Sequence, residues 1–217
     1  MNSSREDYLK IIYEEGGLKC PVPNKVISDK LKIAPGSVSE MLAKLSEKGL
    51  IEYIAYKGSK LTNDGLEVCF GLVRSHRLWE VFLMKHLNYT WREAHEDAHL
   101  LEHTASKRMV DRLDEYLGYP HVCPHGEIIP RIGETESDTH SLVVISDLEI
   151  GEEATISRIE EEGELLDYAE KIGVKIGSNI RINSKGEYEG MIEFVQDNEI
   201  IKISHKAAMK IYVNKDK

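Results

Sequence analysis

At 217 residues, the chain is long enough for one large domain or two small ones. It contains no run of about 18 apolar residues, which excludes a membrane-spanning helix, and its charged N-terminal residues argue against a signal peptide. Three widely spaced cysteines, Cys20, Cys69 and Cys123, do not suit a disulfide framework. We therefore expect a protein of the reducing cytoplasm with no membrane partner.

The net charge of −10 is unevenly distributed along the chain. Residues 1–70 contain ten Lys/Arg and ten Asp/Glu, whereas residues 71–140 carry a net charge of −4 and residues 141–217 a net charge of −6. The N-terminal third is thus the only part that does not repel a polyanion. Eight of the nine histidines lie between His76 and His140, which makes the middle third a candidate metal-binding region.

Short helices and a β-ribbon are predicted in the N-terminal part. One helix is expected in SSREDYLKIIYEE, a second begins at Asn24, and a third lies in IAPGSVSEMLAKLSEKGL, where Pro35 suits the first helical position and Gly49 ends the helix. The stretch LIEYIAYKGSKLT then predicts two strands that turn at Lys57-Gly58-Ser59. Two short helices, a tight turn and a ribbon are typical of a winged helix-turn-helix, whose second helix enters a major groove of DNA.

The outward face of the third helix is the candidate DNA-binding surface. Small hydroxyls near its N-terminal end can reach base edges or phosphates, and lysines can meet the phosphate backbone. The residues expected to contact DNA are Pro35, Gly36, Ser37, Ser39, Glu40, Lys44 and Lys57. A generic helical hairpin, or a winged helix that contacts protein, is the alternative.

The middle of the chain predicts helices and its end predicts strands. Residues 62–87 form one long helix too apolar for the surface, which indicates a buried or dimer-forming element. A capping box of Thr90 and Glu93 begins the next helix, which is expected to run to about Leu117. An irregular, linker-like segment follows, and short β-type runs beyond about residue 141, with a helical insert in ELLDYAEKIG, predict a small barrel.

Histidines and carboxylates share one face of the helix that begins after Thr90. At 100° per residue, four potential ligands fall within about a third of the circumference: His95, His99, Glu102 and His103. On the preceding helix, His76 and Glu80 are one turn apart. Antiparallel packing of the two helices would bring all six together, and such mixed ligands suit Mn, Fe, Co, Ni or Zn. The alternative is a solvated face with scattered histidines.

The stretch from His95 to His99 is also a literal H-E-x-x-H, the zinc-peptidase motif. The extended peptidase motif needs Gly at position 102 and His at position 105, where the chain has Glu102 and Ala105, and residues 119–124 contain no Glu to serve as a third ligand. The match is therefore interpreted as incidental, and the protein is not expected to be an enzyme. A metallohydrolase, with metal-dependent turnover of peptides or esters, is the remote alternative.

Six stretches of the sequence resemble the diphtheria-toxin-repressor family of metal-dependent transcriptional regulators, and within it the manganese transport regulators. They are REDYLKIIYE, SVSEMLAKLSEKGLIE, VRSHRLWEVFL, HEDAHLLEHTAS, DRLDEYLGYP and CPHGEIIP, and the resemblance covers essentially the whole chain. It implies a mainly α fold with a β-rich C-terminal domain. The expected parts are a winged helix-turn-helix at residues 1–62, a helical metal-binding and dimerisation domain at 63–126, a linker at 127–140 and an SH3-like (FeoA-like) domain at 141–217.

The same resemblance implies two metal sites. The first maps onto Asp7, His76, Glu102 and His103, completed by His99, where the manganese branch usually has Glu and the iron branch Cys. The second maps onto Glu80, Cys123 and His125, with His95 nearby and an acidic ligand near Glu160, which is followed by Glu161 and Glu162. Asp7 favours the manganese branch, because the iron-responsive branch has Met at that position.

The function implied is that of a homodimeric repressor of metal-uptake genes. It is expected to bind palindromic operator DNA when it is loaded with divalent cation. Mn(II) is the expected corepressor, Fe(II), Zn(II), Co(II) or Cd(II) are expected to bind in vitro, and no small organic substrate is expected. Two alternatives stay open. One is an iron- or zinc-responsive regulator of the same family, and the other is a winged-helix protein that senses an organic ligand and holds only structural metal.

Overall fold

The structure, a computed structural model, describes residues 5–131 and 142–215. The chain divides into two compact units: Met1–Ser75 with Pro130–Gly133, and His76–Ile129 with Glu134–Lys217. Positions 132–140 of the expected linker lie outside the described residues. No helix in the described ranges is long and apolar enough to cross a membrane.

In its described residues, the first unit contains helices and a two-stranded ribbon. Helix α1 spans Arg5–Glu14, α2 spans Asn24–Leu31 and α3 spans Pro35–Glu47; β1 (Ile51–Ile54) pairs antiparallel with β2 (Gly58–Leu61), and α4 (Asn63–Leu87) begins in this unit. Lys32, with a left-handed φ of 55°, ends α2, and Pro35 begins α3 after an extended Ala34. The ring of Pro35 presets the helical φ, which keeps the turn between α2 and α3 tight.

The spacing of apolar residues explains how the first unit packs. Val38, Leu42 and Leu45 of α3 are fully buried and follow the i, i+4, i+7 pattern of one helix face. They pack in one cluster with Leu9 and Ile12 of α1. Burying each such side chain stabilises the fold by roughly 1.5–3 kcal/mol, so the inward face of α3 is fixed and its opposite face is left to solvent.

The turn of the ribbon differs from the prediction. It lies at residues 55–57, where Tyr56 adopts a left-handed φ of 63°, rather than at Lys57-Gly58-Ser59. Gly58 begins β2 and is needed for another reason, since a Cβ at this position would lie 2.0 Å from the carbonyl oxygen of Val22. The glycine therefore marks a close approach of two backbone segments, and a tyrosine occupies the strained turn position.

The second unit combines helices with a sheet. It contains the rest of α4, α5 (Trp91–Leu101), α6 (Lys107–Tyr116), β3 (Val143–Val144), a 3-10 turn (Ile145–Asp147), β4 (Glu153–Ile159), α7 (Gly163–Lys171), β5 (Asn179–Lys185), β6 (Ile192–Gln196), β7 (Glu199–Ile203), α8 (His205–Ala208) and β8 (Ile211–Asn214). The strands pair antiparallel in the order β3-β8-β4-β5-β6-β7. The expected mainly α fold with a β-rich C-terminal domain is confirmed.

Two β-bulges and one tryptophan shape the C-terminal domain. The register shifts between Ile156 and Arg158 of β4 and between Ile182 and Ser184 of β5, which bends the sheet around its core. Trp91, the first residue of α5, is buried in that same core. Helix α5 therefore packs against the core of the sheet within the second unit.

The helix predicted from Thr90 to about Leu117 is in fact two helices. Helix α5 ends at Leu101, and α6 begins after Ser106, whose hydroxyl accepts a hydrogen bond from the backbone N–H of Met109 at 3.3 Å. The prediction treated Ser106 as helix interior, whereas it is a second N-cap. The break matters because the candidate ligands Glu102 and His103 lie at the C-terminal end of α5, where Glu102 still has the helical φ of −57° and ψ of −34°.

Candidate metal centre and DNA-binding surface

A buried glutamate lies at the centre of the candidate metal site. Helix α4 places His76 and Glu80 one turn apart, with exposed fractions of 1% and 0%. The Nε2 atom of His76 lies 3.0 Å from Oε1 of Glu80. Burying a charged carboxylate costs several kcal/mol in lost hydration unless neighbouring groups stabilise the charge. The groups that surround Glu80 therefore indicate how its negative charge is stabilised.

Three imidazole nitrogens converge on one oxygen of Glu80. Besides His76, His95 of α5 places Nδ1 3.2 Å from Oε1 of Glu80, and His125, which follows α6, places Nδ1 3.2 Å from the same atom. Burial acts to raise the pKa of Glu80, but His76 and the other two histidines hold this pKa well below its usual range. The buried Oε2 of Glu80 has no hydrogen-bond partner among the described residues. The group thus presents an anionic oxygen that is ready for a cation.

Cys123 and His125 are held in place by their own backbone. The N–H of Cys123 donates to the carbonyl of Glu127 at 2.8 Å, and the N–H of Ile159 in β4 donates to the carbonyl of His125 at 3.0 Å.

Burial, assisted by the negative charge of Glu80, raises the pKa of the Cys123 thiol to about 12. Burial acts to lower the pKa of His125, but Cys123, Glu161 and Glu80 outweigh it and raise this pKa to about 12.

The acidic residue beside this group is Glu161, which corrects the expectation of Glu160. Oε2 of Glu161 lies 3.7 Å from Nδ1 of His95, and Oε1 lies 3.7 Å from Nδ1 of His125. Glu160 instead accepts a hydrogen bond from the hydroxyl of Tyr212 at 3.0 Å. The bulge in β4 shifts the alternation of side chains just before these glutamates, and sequence alternation alone does not reveal such a shift.

These donors form two overlapping sets of four. One set is His76, Glu80, His95 and Glu161, and the other is Glu80, Cys123, His125 and Glu161. Within each set, one ligand atom of every residue lies within 4.8 Å of the others. Imidazole, carboxylate and thiolate donors together suit divalent first-row metals. The buried Oε2 of Glu80, which has no hydrogen-bond partner within residues 5–131 and 142–215, is a further oxygen donor for such an ion.

A separate ligand group lies at the end of α5. Nδ1 of His99 is 2.9 Å and Nε2 of His103 is 3.4 Å from Oε1 of Glu102, whose side chain is buried. The other oxygen of Glu102 lies 2.7 Å from Nδ1 of His76. The structure thus brings His99, Glu102 and His103 together and joins them to the Glu80 group through His76. Asp7 lies in the first turn of α1 in the first unit, and its role as a ligand stays a prediction.

The H-E-x-x-H motif does not form a peptidase site. A catalytic zinc ion needs both histidines of this motif as ligands. In the structure His95 belongs to the Glu80 group and His99 to the Glu102 group, and the intervening Glu96 pairs with Arg92 at 2.7 Å on the surface. The peptidase interpretation is therefore wrong.

All the residues expected to contact DNA are exposed: Pro35, Gly36, Ser37, Ser39, Glu40, Lys44 and Lys57. The hydroxyl of Ser39 donates to the carbonyl of Pro35 at 3.1 Å, and Glu40 pairs with Lys44 at 2.6 Å, so some of these groups must exchange partners to reach DNA. Tyr56 is fully exposed at the turn of the ribbon.

Three family models match successive parts of the chain. They are the iron dependent repressor N-terminal DNA binding domain at residues 1–59, the iron dependent repressor metal binding and dimerisation domain at residues 62–131, and the FeoA domain at residues 143–215. The first range covers α1, α2, α3, β1 and the start of β2. The second covers α4, α5 and α6, and the third covers the sheet from β3 to β8.

Whole-chain relatives agree with the domain matches. The diphtheria toxin repressor of Corynebacterium glutamicum is 27% identical over 224 residues, covering 97% of this chain and 95% of the relative. A manganese-dependent transcriptional repressor solved in complex with manganese has a TM-score of 0.87 and 30% identity, and the match covers 98% of this chain and 100% of that one. ScaR with bound Cd²⁺ has a TM-score of 0.82 and 36% identity over 99% of this chain and 100% of that one. The chain therefore belongs to the iron-dependent (diphtheria-toxin) repressor family of metal-dependent transcriptional regulators, whose members are repressors and not enzymes.

Proposed function

We propose that this protein is a manganese-responsive repressor that binds palindromic operator DNA as a homodimer when loaded with divalent cation, and that it controls metal-uptake genes. The observation that carries this proposal is the buried set of imidazoles, thiol and carboxylates around Glu80, in a chain that has DNA-binding and dimerisation domains. Because the proposed partner is chromosomal DNA, the proposed location is the cytoplasm. The proposal needs no organic ligand.

The proposed ligands fall into two sites. The first is built from His99, Glu102 and His103, supported by His76. Asp7 is its proposed further ligand, as the family resemblance implies. The second is built from Glu80, Cys123, His125 and Glu161, with His95 beside them. A bound cation supplies the positive charge that lets the carboxylates of a site lie together. Asp7 would then tie the DNA-binding domain to the dimerisation domain.

Metal control of DNA binding requires a large difference in affinity between two states. Shifting a population from 1:99 to 99:1 takes about 5.5 kcal/mol of differential cation binding. In the active state, the α3 helices of the two protomers would enter major grooves about 34–36 Å apart, one turn of DNA. Ser37 and Ser39 would meet base edges, and Lys44 and Lys57 would meet phosphates.

Manganese is the proposed corepressor for two reasons. The similar repressor with a TM-score of 0.87 was solved with manganese, and carboxylates such as Glu80, Glu102 and Glu161 suit that hard cation. The thiol of Cys123 and the imidazole of His99 suit Zn(II) and Co(II) better, and ScaR was solved with Cd²⁺. An iron- or zinc-responsive regulator is therefore the second candidate function.

Selection from random duplex DNA tests the proposal. Full-length protein is incubated with the library in the presence of chelator, or of Mn(II), Fe(II), Zn(II) or Co(II) separately. We expect a palindrome to be enriched with Mn(II) and not with chelator. Enrichment of the same palindrome with chelator would instead support a winged-helix protein whose metal is only structural, and enrichment with Fe(II) or Zn(II) alone would support the second candidate.

A further inference from the structure

We propose that Tyr56, at the turn between β1 and β2, enters the minor groove of DNA beside the major groove that α3 occupies, and that it favours A·T base pairs there. This inference rests on the proposed function, because operator DNA is the partner that it needs. It adds a second groove and a base preference to the DNA contacts proposed for α3 and Lys57.

Tyr56 has a backbone conformation that its side chain disfavours. Its φ of 63° is left-handed, a region in which bulky residues are rare because the Cβ atom crowds the carbonyl oxygen that follows. The side chain is fully exposed, so packing against the described part of the chain does not offset this strain. Strained residues cluster at sites that bind ligands or partners. A partner outside the chain would therefore account for the strained turn.

The strand that follows Tyr56 is anchored beside the start of α2. The N–H of Val22 donates to the carbonyl of Ser59 at 2.8 Å, and the N–H of Ser59 donates to the carbonyl of Val22 at 3.0 Å. Gly58 lies against the same segment, since a Cβ at this position would lie 2.0 Å from the carbonyl oxygen of Val22. Helix α2 begins two residues later, at Asn24. The ring is thus carried by an anchored ribbon and not by a free loop.

The charge around Tyr56 is complementary to that of DNA. Residues 53–60 contain two lysines, Lys57 and Lys60, and no acidic residue, in a chain with a net charge of −10. Tyr56 lies within the range that matches the DNA-binding domain model, residues 1–59. The minor groove narrows at runs of A·T pairs, and its enhanced negative potential attracts lysine. A basic turn with an exposed aromatic ring suits this groove.

A minor-groove contact explains the expected preference for A·T pairs. The groove floor at an A·T pair offers only acceptors, N3 of adenine and O2 of thymine, whereas a G·C pair adds the N2 amino group of guanine. The phenol hydroxyl of Tyr56 can donate a hydrogen bond to such an acceptor. The guanine amino group would occupy the space that the ring needs. The groove lies about half a turn of DNA, roughly 5 base pairs, from the bases beneath α3.

Operator binding by full-length Tyr56 variants tests the proposal. Tyr56→Gly removes the ring and suits a left-handed φ, so it should unfold at a temperature close to that of wild type. With Mn(II), we expect Tyr56→Gly to bind the selected palindrome roughly 10-fold more weakly than wild type, and Tyr56→Phe to lie between the two. Tyr188→Gly is the matched control and should bind DNA as wild type does. Tyr188 is also fully exposed, with a left-handed φ of 50°, but lies between β5 and β6.

Base analogues identify the groove that is read. In the selected palindrome, A·T pairs roughly 5 base pairs from those beneath α3 are replaced by G·C or by inosine·cytosine. Inosine lacks the N2 amino group, so its pair with cytosine keeps the minor-groove acceptors of A·T and the major-groove pattern of G·C. For wild type, we expect G·C to weaken binding at least about 5-fold and inosine·cytosine to have no effect. Tyr56→Gly should bind all three duplexes equally.

Four results would overturn the minor-groove contact. Wild-type affinity in Tyr56→Gly would show that Tyr56 does not contact DNA and would leave the turn to a protein partner. Equal binding of the A·T and G·C duplexes by wild type would place the ring on the DNA backbone. Equal losses with G·C and inosine·cytosine would place the reading in the major groove. Equal losses in Tyr56→Gly and Tyr188→Gly would show that the effect is not specific to the ribbon.

Binding with and without Mn(II) separates this inference from the proposed function. Metal-dependent binding that is unchanged in Tyr56→Gly would reject only the minor-groove contact. Binding that needs Tyr56 but is equally tight with chelator would reject only the proposed function. A wild type that binds no duplex would reject both.

Discussion

Nδ1 of His76 lies 2.7 Å from Oε2 of Glu102, and both side chains are buried. The opposite nitrogen of the same ring lies 3.0 Å from Glu80. A neutral imidazole carries one N–H, so it can donate to only one of the two carboxylates. If Nε2 binds a cation, the proton must sit on Nδ1, which lies against Glu102, the carboxylate that also contacts His99 and His103. His76 thus links the two ligand groups.

We expect His76→Ala to weaken cation binding at both groups. Losing a side chain that contacts and orients a metal ligand typically lowers metal affinity about 10- to 100-fold, and His76 contacts Glu102 in this way although it need not be a ligand of that group. Competition titrations with a fluorescent chelator measure both affinities. His121→Ala serves as the control, and a His76→Ala protein with an unchanged affinity at the Glu102 group would show that the groups are independent.

Cation binding at Cys123 and His125 should release protons. In the metal-free protein the pKa of each group is raised to about 12, so both are protonated at pH 7 and must lose a proton to become ligands. The affinity of this site should therefore rise with pH over the range below pH 12. Calorimetry in two buffers of different ionisation enthalpy should report about two protons per cation, and about one in Cys123→Ser. Heats that do not depend on the buffer would contradict the assignment.

Position 99 should tune metal preference. His99 contacts Glu102 through Nδ1 at 2.9 Å, and replacing this imidazole by a carboxylate adds a negative charge and a hard oxygen donor. We expect His99→Glu to favour Mn(II) over Zn(II) more strongly than wild type and to retain metal better at pH 6, because a carboxylate competes with protons at lower pH than an imidazole. Equal Mn(II) and Zn(II) affinities for wild type, His99→Ala and His99→Glu would show that His99 is not a ligand.

Glu127 should hold the SH3-like domain against the helices. It pairs with Arg77 of α4 at 3.2 Å and with Arg158 of β4 at 2.9 Å, and all three side chains are largely shielded from solvent. Removing the carboxylate leaves two arginines without this partner, at a cost of about 1–3 kcal/mol. Glu127→Ala should therefore speed hydrogen exchange in β4 without dissociating the dimer. Glu193→Ala, which removes an ion pair within the sheet, should leave exchange in β4 as in wild type.

Local signals predicted much of the fold, and their failures have physical causes. The Thr90–Glu93 capping box and Pro35 at the start of α3 are local devices, and both occur in the structure. The break at Ser106 was missed because a serine after a helical pattern is compatible with both a cap and a helix interior.

Ligand residue types were predictable, whereas their partners depended on tertiary structure. The i, i+4 spacing of His76 and Glu80 correctly placed them on one face of a helix. Glu161 rather than Glu160 faces the Glu80 group because of a bulge several residues earlier in β4. His95 and His99 belong to different ligand groups because of where α4 and residues 121–129 lie beside α5. Neither is encoded in local spacing.

The most direct test of the account measures how cation binding changes the affinity for DNA. Full-length protein is titrated onto a fluorescent duplex that carries the selected palindrome, once with Mn(II) and once with chelator, and the polarisation of the duplex is followed. Circular dichroism of both samples establishes that the fold is the same. We expect tight binding with Mn(II), a loss of affinity of at least about 100-fold with chelator (roughly 2.7 kcal/mol, within the range of allosteric coupling), and weak binding by Glu102→Gln under both conditions. Equally tight binding by the chelated and the Mn(II)-loaded protein, with the same fold, would contradict metal-dependent repression.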